Sequence, residues 1–137
     1  MLVALRLAVV RGVRVDLIIP ERNDQLLVGL AGEYFVDELL DYGVHVHLYQ
    51  DGLLHVKAMT ADAGFAMLGT ANFDVRSFYL NFELNLLSYD PDLNGMLRFC
   101  QSGYIERSRE VVPRDWHCRK EARRWGAACA RLVSPLL

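Results

Sequence analysis

Four polar residues in the middle of the chain have the types and the spacing that displacement at a phosphodiester requires. His55 and Lys57 are two residues apart in a run predicted to be a strand, and side chains at that spacing point to the same face. Asn72 follows a turn signal and a second apolar run, and Glu83 lies among apolar residues of a third strand-like run. We therefore expect an imidazole, an ammonium, an amide and a carboxylate to meet in one pocket.

Each of these groups has a role in attack on phosphorus. A neutral imidazole is a competent nucleophile that can form a covalent intermediate. An ammonium and an amide can hold the non-bridging oxygens and offset negative charge as it develops there. A carboxylate can hold the imidazole in the correct tautomer and stabilise its positive form. Because Lys57 and Asn72 provide the electrophilic assistance, we expect the site to require no metal and no other cofactor.

The same residues resemble the motif of the phospholipase D superfamily. In that pattern His-x-Lys is followed after four residues by Asp, and further downstream by Gly-(Ser/Thr)-x-Asn. This chain has His55-Val56-Lys57, Asp62 and Gly69-Thr70-Ala71-Asn72. Within the superfamily the chain resembles the C-terminal half of the bacterial cardiolipin synthases, through residues 52–55, 72–77, 80–83 and 134–137. The resemblance covers nearly all of residues 1–137 and implies one phospholipase D-like catalytic domain, half of the usual two-domain enzyme.

The resemblance implies a role for each residue of the motif. His55 is expected to be the nucleophile or its general-acid counterpart, and Glu83 the carboxylate that orients it. Lys57, Asn72 and Thr70 are expected to bind the substrate phosphate.

Asp62 completes the motif at 55–62 and belongs with the catalytic residues by resemblance. Its own position favours a mainly structural role. It lies seven residues after His55, a spacing that places it on the opposite face of a continued strand. It also begins the turn sequence Asp62-Ala63-Gly64, where Asp commonly hydrogen-bonds the local backbone.

The implied reaction is phosphatidyl transfer. One phosphatidylglycerol gives its phosphatidyl group to the histidine and releases glycerol, and a second phosphatidylglycerol accepts the group to give cardiolipin. Displacement through a phosphohistidine also needs an acid for the leaving alkoxide, so one motif is half of an active site. We therefore expect a second His-x-Lys half, from another copy or from a separate N-terminal half. The abrupt start at Met1 suggests a truncated reading frame or a separated C-terminal half.

Composition and charge restrict where such a domain would act. At 137 residues and 53% hydrophobic, the chain is long enough to build its own core, and it contains no apolar run long enough to span a membrane. Residues 1–97 contain six Lys/Arg and 13 Asp/Glu, whereas residues 98–137 contain nine and four. A basic tail with two tryptophans suits an anionic membrane surface, although a solvated helix packed on the domain is an equal alternative. The expected location is peripheral, on the cytoplasmic side of the inner membrane.

The surrounding sequence predicts a mixed β-sheet flanked by helices, because helix and strand patterns alternate along it. Gly12 and Gly43 are predicted to end helices, and Asp90 is predicted to be an N-cap. The predicted helices are residues 1–10, 25–42 (with Asp24 as a possible cap), 91 to about 108, and a basic helix at about 116–132, after a break at 112–115. The predicted strands are residues 13–19, 44–49, the run through His55 and Lys57, 65–68 and 80–89.

Other functions and simpler interpretations stay open at this point. A single-motif dimeric phosphodiesterase acting on nucleic acid is one alternative, disfavoured by the acidic front portion because duplex binding needs a basic footprint. A non-catalytic lipid-binding fragment is another.

His45 and His47 share a strand face, where a solvated edge is a better interpretation than a metal site. Ser77 and Arg76 are candidates to position a lipid head group, and the alternative for Arg76 is an ion pair with Asp74. We expect the aromatic residues to lie in the core: Tyr34, Phe35, Phe78, Tyr79 and Phe82.

Overall fold

The structure, a computed structural model, describes residues 2–21, 35–72, 77 and 80–117. The chain divides into two compact units, Met1–Leu53 with Ser108–Leu137 (unit 1) and Leu54–Arg107 (unit 2). Each unit has a three-stranded sheet within its described residues. The predicted mixed α/β architecture is confirmed. That the strands form two sheets was not predicted, because alternation along a chain does not reveal which strands pair.

The sheet of unit 1 is mixed and has the order β1-β2-β6. Strand β1 is Asp16–Pro20, β2 is His45–Tyr49 and β6 is Ser108–Glu110. Strands β1 and β2 are parallel, with Asp16 opposite His45. Strands β2 and β6 are antiparallel, with Tyr49 opposite Ser108. Strand β6 was not predicted, because its three residues are too few to show the two-residue period of a strand.

Strand β1 begins later than predicted and includes Pro20 rather than ending before it. The proline is tolerated because it is the last residue of an edge strand, where a missing N–H is least costly. The ladder resumes at once, since the backbone N–H of Glu21 donates to the Tyr49 carbonyl over 2.9 Å.

Two helices of unit 1 end at the predicted glycines. Helix α1 is Leu2–Val10, and the described part of α2 is residues 35–41. Gly12 and Gly43 have φ values of +83° and +88°, which a residue without Cβ adopts readily. In α2 the N–H of Gly43 bonds the Leu40 carbonyl and the N–H of Val44 bonds the Leu39 carbonyl, the Schellman pattern. The predicted start of α2, including Asp24, lies outside the described residues.

Strand β2 is the centre of unit 1, and both of its faces are covered. One face joins a core of seven buried side chains: Val36, Leu39, Leu40, Val44, Val46, Leu48 and Val111. The other face carries His47, whose Nε2 lies 2.9 Å from the Asp16 carboxylate and which is 4% exposed. The predicted edge position of this face is therefore wrong, as is the predicted solvation of His47, whereas 42% of the His45 side chain is exposed. The edge prediction failed because β6 pairs with β2 on its other side, and Glu110 of β6 binds the His45 ring over 2.8 Å.

The last described helix is Pro113–His117. It is called α4, because the helix of unit 2, α3, precedes it in the chain. It begins inside the segment predicted to be a break, because proline is well suited to the first turn of a helix. Trp116 packs against the core of unit 1. The rest of the predicted basic helix lies outside the described residues.

The sheet of unit 2 is antiparallel, in the order β3-β4-β5. Its strands are Ala58–Ala61 (β3), Phe65–Gly69 (β4) and Asn85–Ser88 (β5). The predicted turn joins β3 to β4, with Asp62 in the left-handed region at φ +48°. Both motif strands begin later than predicted, so Lys57 precedes β3 and Glu83 precedes β5.

Helix α3, Pro91–Glu106, packs on β3 and β4. It starts as predicted, with the Asp90 carboxylate accepting from the Asp92 N–H over 2.8 Å. The buried Asn94 side chain donates to the Phe65 carbonyl, and Thr60 donates to Gln101 over 2.7 Å. None of the helices in the described part of the chain has the length and apolarity needed to span a membrane.

Candidate active site

The predicted site residues of unit 2, apart from Asp62, lie just beyond one end of its sheet. Strand β4 ends at Gly69, whose N–H donates to the Lys57 carbonyl over 3.0 Å. On the other side of β4, the N–H of Thr70 donates to the Leu84 carbonyl over 3.0 Å. The ladder ends at these bonds, which explains why Lys57 and Glu83 lie outside regular strands. It also explains why segments distant in sequence converge.

Gly69 is required where these segments meet. A Cβ built on Gly69 would collide with the carbonyl of Leu84 and with the side chain of Asn85, and would lie 2.9 Å from the Asn85 Cα. Two of the colliding atoms are backbone, so a side chain could not be accommodated by a rotamer change. The glycine of the motif therefore allows the last residues of β4 to approach the start of β5 closely.

The side chains of His55 and Lys57 meet, as their spacing predicted, although the backbone there is irregular. The Lys57 Nζ lies 3.0 Å from the His55 Nδ1 and 2.9 Å from its Nε2. The same ammonium donates to the His55 carbonyl over 3.0 Å, which fixes it over the imidazole. A neutral ring has one nitrogen that accepts, so Lys57 can bond one ring nitrogen at a time. The His55 side of the pair is exposed to solvent and accessible to a substrate.

Glu83 is held by a set of hydrogen-bond donors. Thr70 donates to its Oε2 over 2.6 Å, and Asn81 donates to its Oε1 over 3.4 Å. The hydrogen bond from Thr70 lowers the pKa of Glu83 below its usual range, and Ser77, Asn81 and the charge of Lys57 lower it further, against partial burial. Glu83 is therefore ionised at neutral pH, with its charge near the ammonium of Lys57.

Thr70 connects this carboxylate to the backbone of the neighbouring segment. Its Oγ1 donates to Glu83 and accepts the N–H of Leu84 over 3.0 Å. A hydroxyl has a single proton. In this arrangement the proton is used by Glu83, so donation from Thr70 to a phosphate oxygen would require that bond to open. The predicted phosphate-binding role of Thr70 stays a prediction.

Asn72 lies three residues beyond the end of β4 and is exposed. Its backbone N–H donates to the Oγ of Ser77 over 3.1 Å. Ser77 is buried, and it is one of the hydrogen-bonding groups that lower the pKa of Glu83. The hydrogen bond from Asn81 to Glu83 was not predicted. For Asn81 a signal existed, since it lies two residues before Glu83.

Two predicted relationships are not among the contacts of the described residues. The polar partner of the His55 ring there is Lys57, whereas Glu83 accepts hydrogen bonds from Thr70 and Asn81. The expected orientation of His55 by Glu83 therefore stays a prediction. Asp62 lies at the far end of β3, roughly 13 Å along a four-residue strand from the His55–Lys57 pair. Its carbonyl accepts from Arg98 over 2.8 Å.

Large apolar side chains surround the polar cluster. Leu80, Phe82 and Leu84 alternate with Asn81 and Glu83 and are all largely exposed. The prediction that Phe82 lies in the core is wrong: it is fully exposed, because no strand among the described residues pairs with the segment before β5. Phe35 is half-buried, and Tyr34, Phe78 and Tyr79 lie outside the described residues. In the described part of the chain, no group of three or more His, Cys, Asp or Glu side chains is placed to hold a metal ion.

Comparison with known proteins gives consistent matches. Residues 1–98 match the family model described as cardiolipin synthase, PLD-like domain. The chain is 40% identical over 134 residues to cardiolipin synthase A of Pseudomonas putida, covering 98% of this chain and 28% of that protein. It is 41% identical over 127 residues to cardiolipin synthase A of Citrobacter koseri, covering 93% and 26%. The chain thus spans about a quarter of the length of these relatives.

A solved structure shares the fold. The crystal structure of a phospholipase D family member, Nuc from Salmonella typhimurium, superposes with a TM-score of 0.70 at 20% sequence identity. The superposition covers 80% of this chain and 72% of that one.

Proposed function

The chain belongs to the cardiolipin synthase, PLD-like domain family, and on that premise we propose that it supplies one catalytic half of a phosphatidyltransferase. Its substrate would be phosphatidylglycerol, and its products cardiolipin and glycerol. The proposed site consists of His55, Lys57, Asn72 and Glu83. The domain proposed to carry it is residues 1–137, with the site confined to unit 2.

The observation that carries this proposal is the cluster at the end of the unit 2 sheet. An imidazole and an ammonium are in contact at 2.9–3.0 Å, and an ionised carboxylate lies close enough to respond to the charge of that ammonium. Such a cluster suits attack on a phosphodiester, where a nucleophile needs a cation beside the oxygens that gain charge. Exposed apolar side chains beside it suit a substrate with acyl chains.

The reaction would proceed in two displacements. A ring nitrogen of His55 would attack the phosphorus, forming a phosphorus–nitrogen bond as the bond to the glycerol oxygen breaks. That oxygen would take a proton from an acid of the second half, giving free glycerol. The hydroxyl of a second phosphatidylglycerol would then lose its proton to the same group and attack, releasing His55 and cardiolipin. Lys57 and Asn72 would bind the non-bridging oxygens in both steps, so the proposed steps use no metal ion.

The second half is part of the proposal, because this chain contains a single His-x-Lys sequence. A second copy of the chain or a separate N-terminal half would provide the other histidine. The proposed place of action is the anionic surface of the inner membrane, on its cytoplasmic side. The relatives are named cardiolipin synthases, which supports a membrane surface as the setting, and the side of the membrane is part of the proposal.

The test is a transfer assay on phosphatidylglycerol vesicles, with the chain alone and with an added N-terminal half from a relative. Cardiolipin and glycerol are quantified by mass spectrometry. We expect activity in the complemented sample, loss of at least about 100-fold with His55→Ala, and near-normal activity with the matched control His45→Ala, which lies in unit 1. If wild type and His55→Ala are equally inactive in both samples, the proposal is wrong. Cleavage of plasmid DNA that Lys57→Ala abolishes would point to a nuclease instead.

A further inference from the structure

The side of helix α3 that faces away from the unit 2 sheet carries large exposed apolar side chains. The other side is bound to the sheet, since Asn94 donates to a carbonyl of β4 and Gln101 accepts from a hydroxyl of β3. At about 3.6 residues per turn, Met96 and Phe99 lie on the side opposite these two residues. They are 68% and 82% exposed. Exposed Met and Phe side chains of this kind are typical of surfaces that bind another protein.

A hollow of about 300 Å³ lies towards the C-terminal end of the same side, where Gly103 provides no side chain. Its lining includes Phe99, Cys100 and Arg107. A Cβ built on Gly103 would meet only the end of the Arg107 side chain, at 3.9 Å, so the hollow can admit an incoming side chain. The Nε of Arg107 donates to the Gly103 carbonyl over 2.9 Å, which holds the guanidinium beside the hollow.

The residues of this side are spaced so that two antiparallel copies of α3 fit each other. They follow at intervals of three and four and are called the outer stripe: Asp92, Met96, Phe99, Gly103 and Arg107. With a two-fold axis between residues 99 and 100, Met96 of each copy is opposite the hollow at Gly103 of the other. The same register places Asp92 of each copy opposite Arg107 of the other.

Size and charge both match in this register. A flexible Met side chain suits an irregular hollow, and small residues at the contact allow the helix axes to approach within about 8 Å. An acid in the first turn and a base at the last turn attract each other when the helices run in opposite directions. Glu106 lies on the other edge of the outer stripe from Arg107, about 100° around the helix. One side of a 16-residue helix is smaller than a standard interface, so we expect a dissociation constant on the order of 10–100 μM.

We propose that two copies of the chain associate through the outer stripe of α3, as an antiparallel pair about a two-fold axis. This contact differs from the one that would supply a second His-x-Lys half. Thr60 bonds α3, whereas Lys57, three residues earlier and still bonded to β4 through its carbonyl, lies on the opposite face of the sheet. The pair therefore leaves the face that carries Lys57 open to the second half. The inference does not depend on the proposed function, because association requires no catalysis.

The association is measured by sedimentation equilibrium of the purified chain over about 5–500 μM, a range around the expected dissociation constant. Wild type should dimerise. Phe99→Ser should weaken the dimer at least about 10-fold and leave the urea midpoint unchanged, since the ring is exposed in the monomer. Gly103→Gln should weaken it to a similar extent because the new side chain fills the hollow, although glutamine is the better helix former. Gly64→Gln enters open space in the β3–β4 turn and is the matched control, which should dimerise like wild type.

Two results of this experiment overturn the inference. One is a wild type that stays monomeric over the whole range, and the other is a dimer that Phe99→Ser and Gly103→Gln leave equally strong. A monomeric wild type that binds phosphatidylglycerol vesicles, with binding lost in Phe99→Ser, would assign the outer stripe to a membrane instead.

The antiparallel register is tested by exchanging charges. Asp92→Lys and Arg107→Glu should each weaken the dimer by about 3- to 10-fold at low ionic strength, because like charges then face each other. The double variant Asp92→Lys/Arg107→Glu restores opposite charges at both ends and should recover wild-type association. Loss of helix stability cannot mimic this recovery, since the exchanged charges oppose the helix dipole at both ends. A double variant that associates more weakly than either single variant contradicts the proposed pair.

Discussion

The N–H of Gly69 bonds the carbonyl of Lys57 at 3.0 Å, and this contact is the last backbone bond between β3 and β4. It joins the His-x-Lys sequence to the Gly-Thr-Ala-Asn sequence. The two parts of the motif are therefore adjacent through the backbone before any side chain is considered. The precision of the site depends on how closely the segments around Gly69 can approach.

Gly69→Ala should lower the free energy of unfolding, because the added Cβ meets the backbone of Leu84 and Asn85. Overpacking of this kind typically costs about 1–3 kcal/mol. Urea denaturation followed by circular dichroism measures the change. Gly64→Ala is the matched control: its Cβ would meet nothing within 4 Å, and we expect a change of less than about 0.5 kcal/mol. Equal effects of the two variants would contradict the close approach.

Asp90→Ala should destabilise helix α3 by about 1 kcal/mol, because it removes the acceptor for the Asp92 N–H. The measurement is the midpoint of urea unfolding at pH 7. Asp90→Asn keeps a side-chain oxygen at the same place and should stay close to wild type. If Asp90→Asn destabilises the chain as much as Asp90→Ala does, the stabilisation comes from the charge of Asp90 and not from its hydrogen bond to the Asp92 N–H.

Asp16 should make stability depend on pH in the acid range. The hydrogen bond from Arg14, with a further one from His47, lowers the pKa of Asp16 from 3.8 to about 2, against partial burial. The native state therefore binds this proton less readily than the unfolded state. The resulting stability is present above about pH 4 and is lost as the pH falls towards 2. Because the pair is partly screened by water, we expect a contribution of about 1 kcal/mol.

The measurement for Asp16 is urea unfolding at a series of pH values between 5 and 2, in wild type and Asp16→Asn. Wild type should lose about 1 kcal/mol more than the variant over this range. Arg14→Gln should weaken the pH dependence in the same direction, since Arg14 is the largest cause of the shift. Curves of equal slope in wild type and Asp16→Asn would rule out the pair as the origin.

Phe82→Ser should leave the free energy of unfolding within about 0.5 kcal/mol of wild type, since the ring is fully exposed. Leu39→Ala provides the contrast: Leu39 is 3% exposed in the core of unit 1, and its truncation should cost about 2–5 kcal/mol. Both values come from urea denaturation of the purified chain. A cost above about 2 kcal/mol for Phe82→Ser would mean that the ring is buried in solution.

Features that depend on a few neighbouring residues were predictable from the sequence. Gly12 and Gly43 end helices because they adopt positive φ, and Asp90 caps α3 with its own side chain. The turn at Asp62 belongs to the same class. In each case the cause lies within one turn of chain, so tertiary structure has little opportunity to override it.

Features that depend on a distant partner were not predictable in the same way. Lys57 and Glu83 have the alternation of strand residues, but β4 ends at Gly69, and among the described residues neither segment pairs with a strand beyond that point. The three residues of β6 are too few to show the two-residue alternation of a strand. Phe82 is apolar, and nothing in its neighbours' types reveals that no residue covers it.

Which residues lie near one another at the site was more predictable from the sequence than which of them form hydrogen bonds. Two-residue spacing brought Lys57 onto His55, as expected. Glu83 was predicted to belong to the site because a carboxylate among apolar residues needs hydrogen-bond partners. Its hydrogen bond from Thr70 could not be predicted, since Thr70 comes from a different segment and only folding sets their distance.

Strands β2 and β6 are paired, yet the whole of unit 2 separates them in the sequence. Tyr49, where the chain leaves the unit 1 sheet, is directly opposite Ser108, where the chain returns. During synthesis β6 leaves the ribosome only after all of unit 2. Strand β2 therefore cannot pair with β6 until then, so this pairing forms late in folding. For the protein engineer the same pairing identifies a natural excision point, where a hairpin loop of a few residues could replace unit 2.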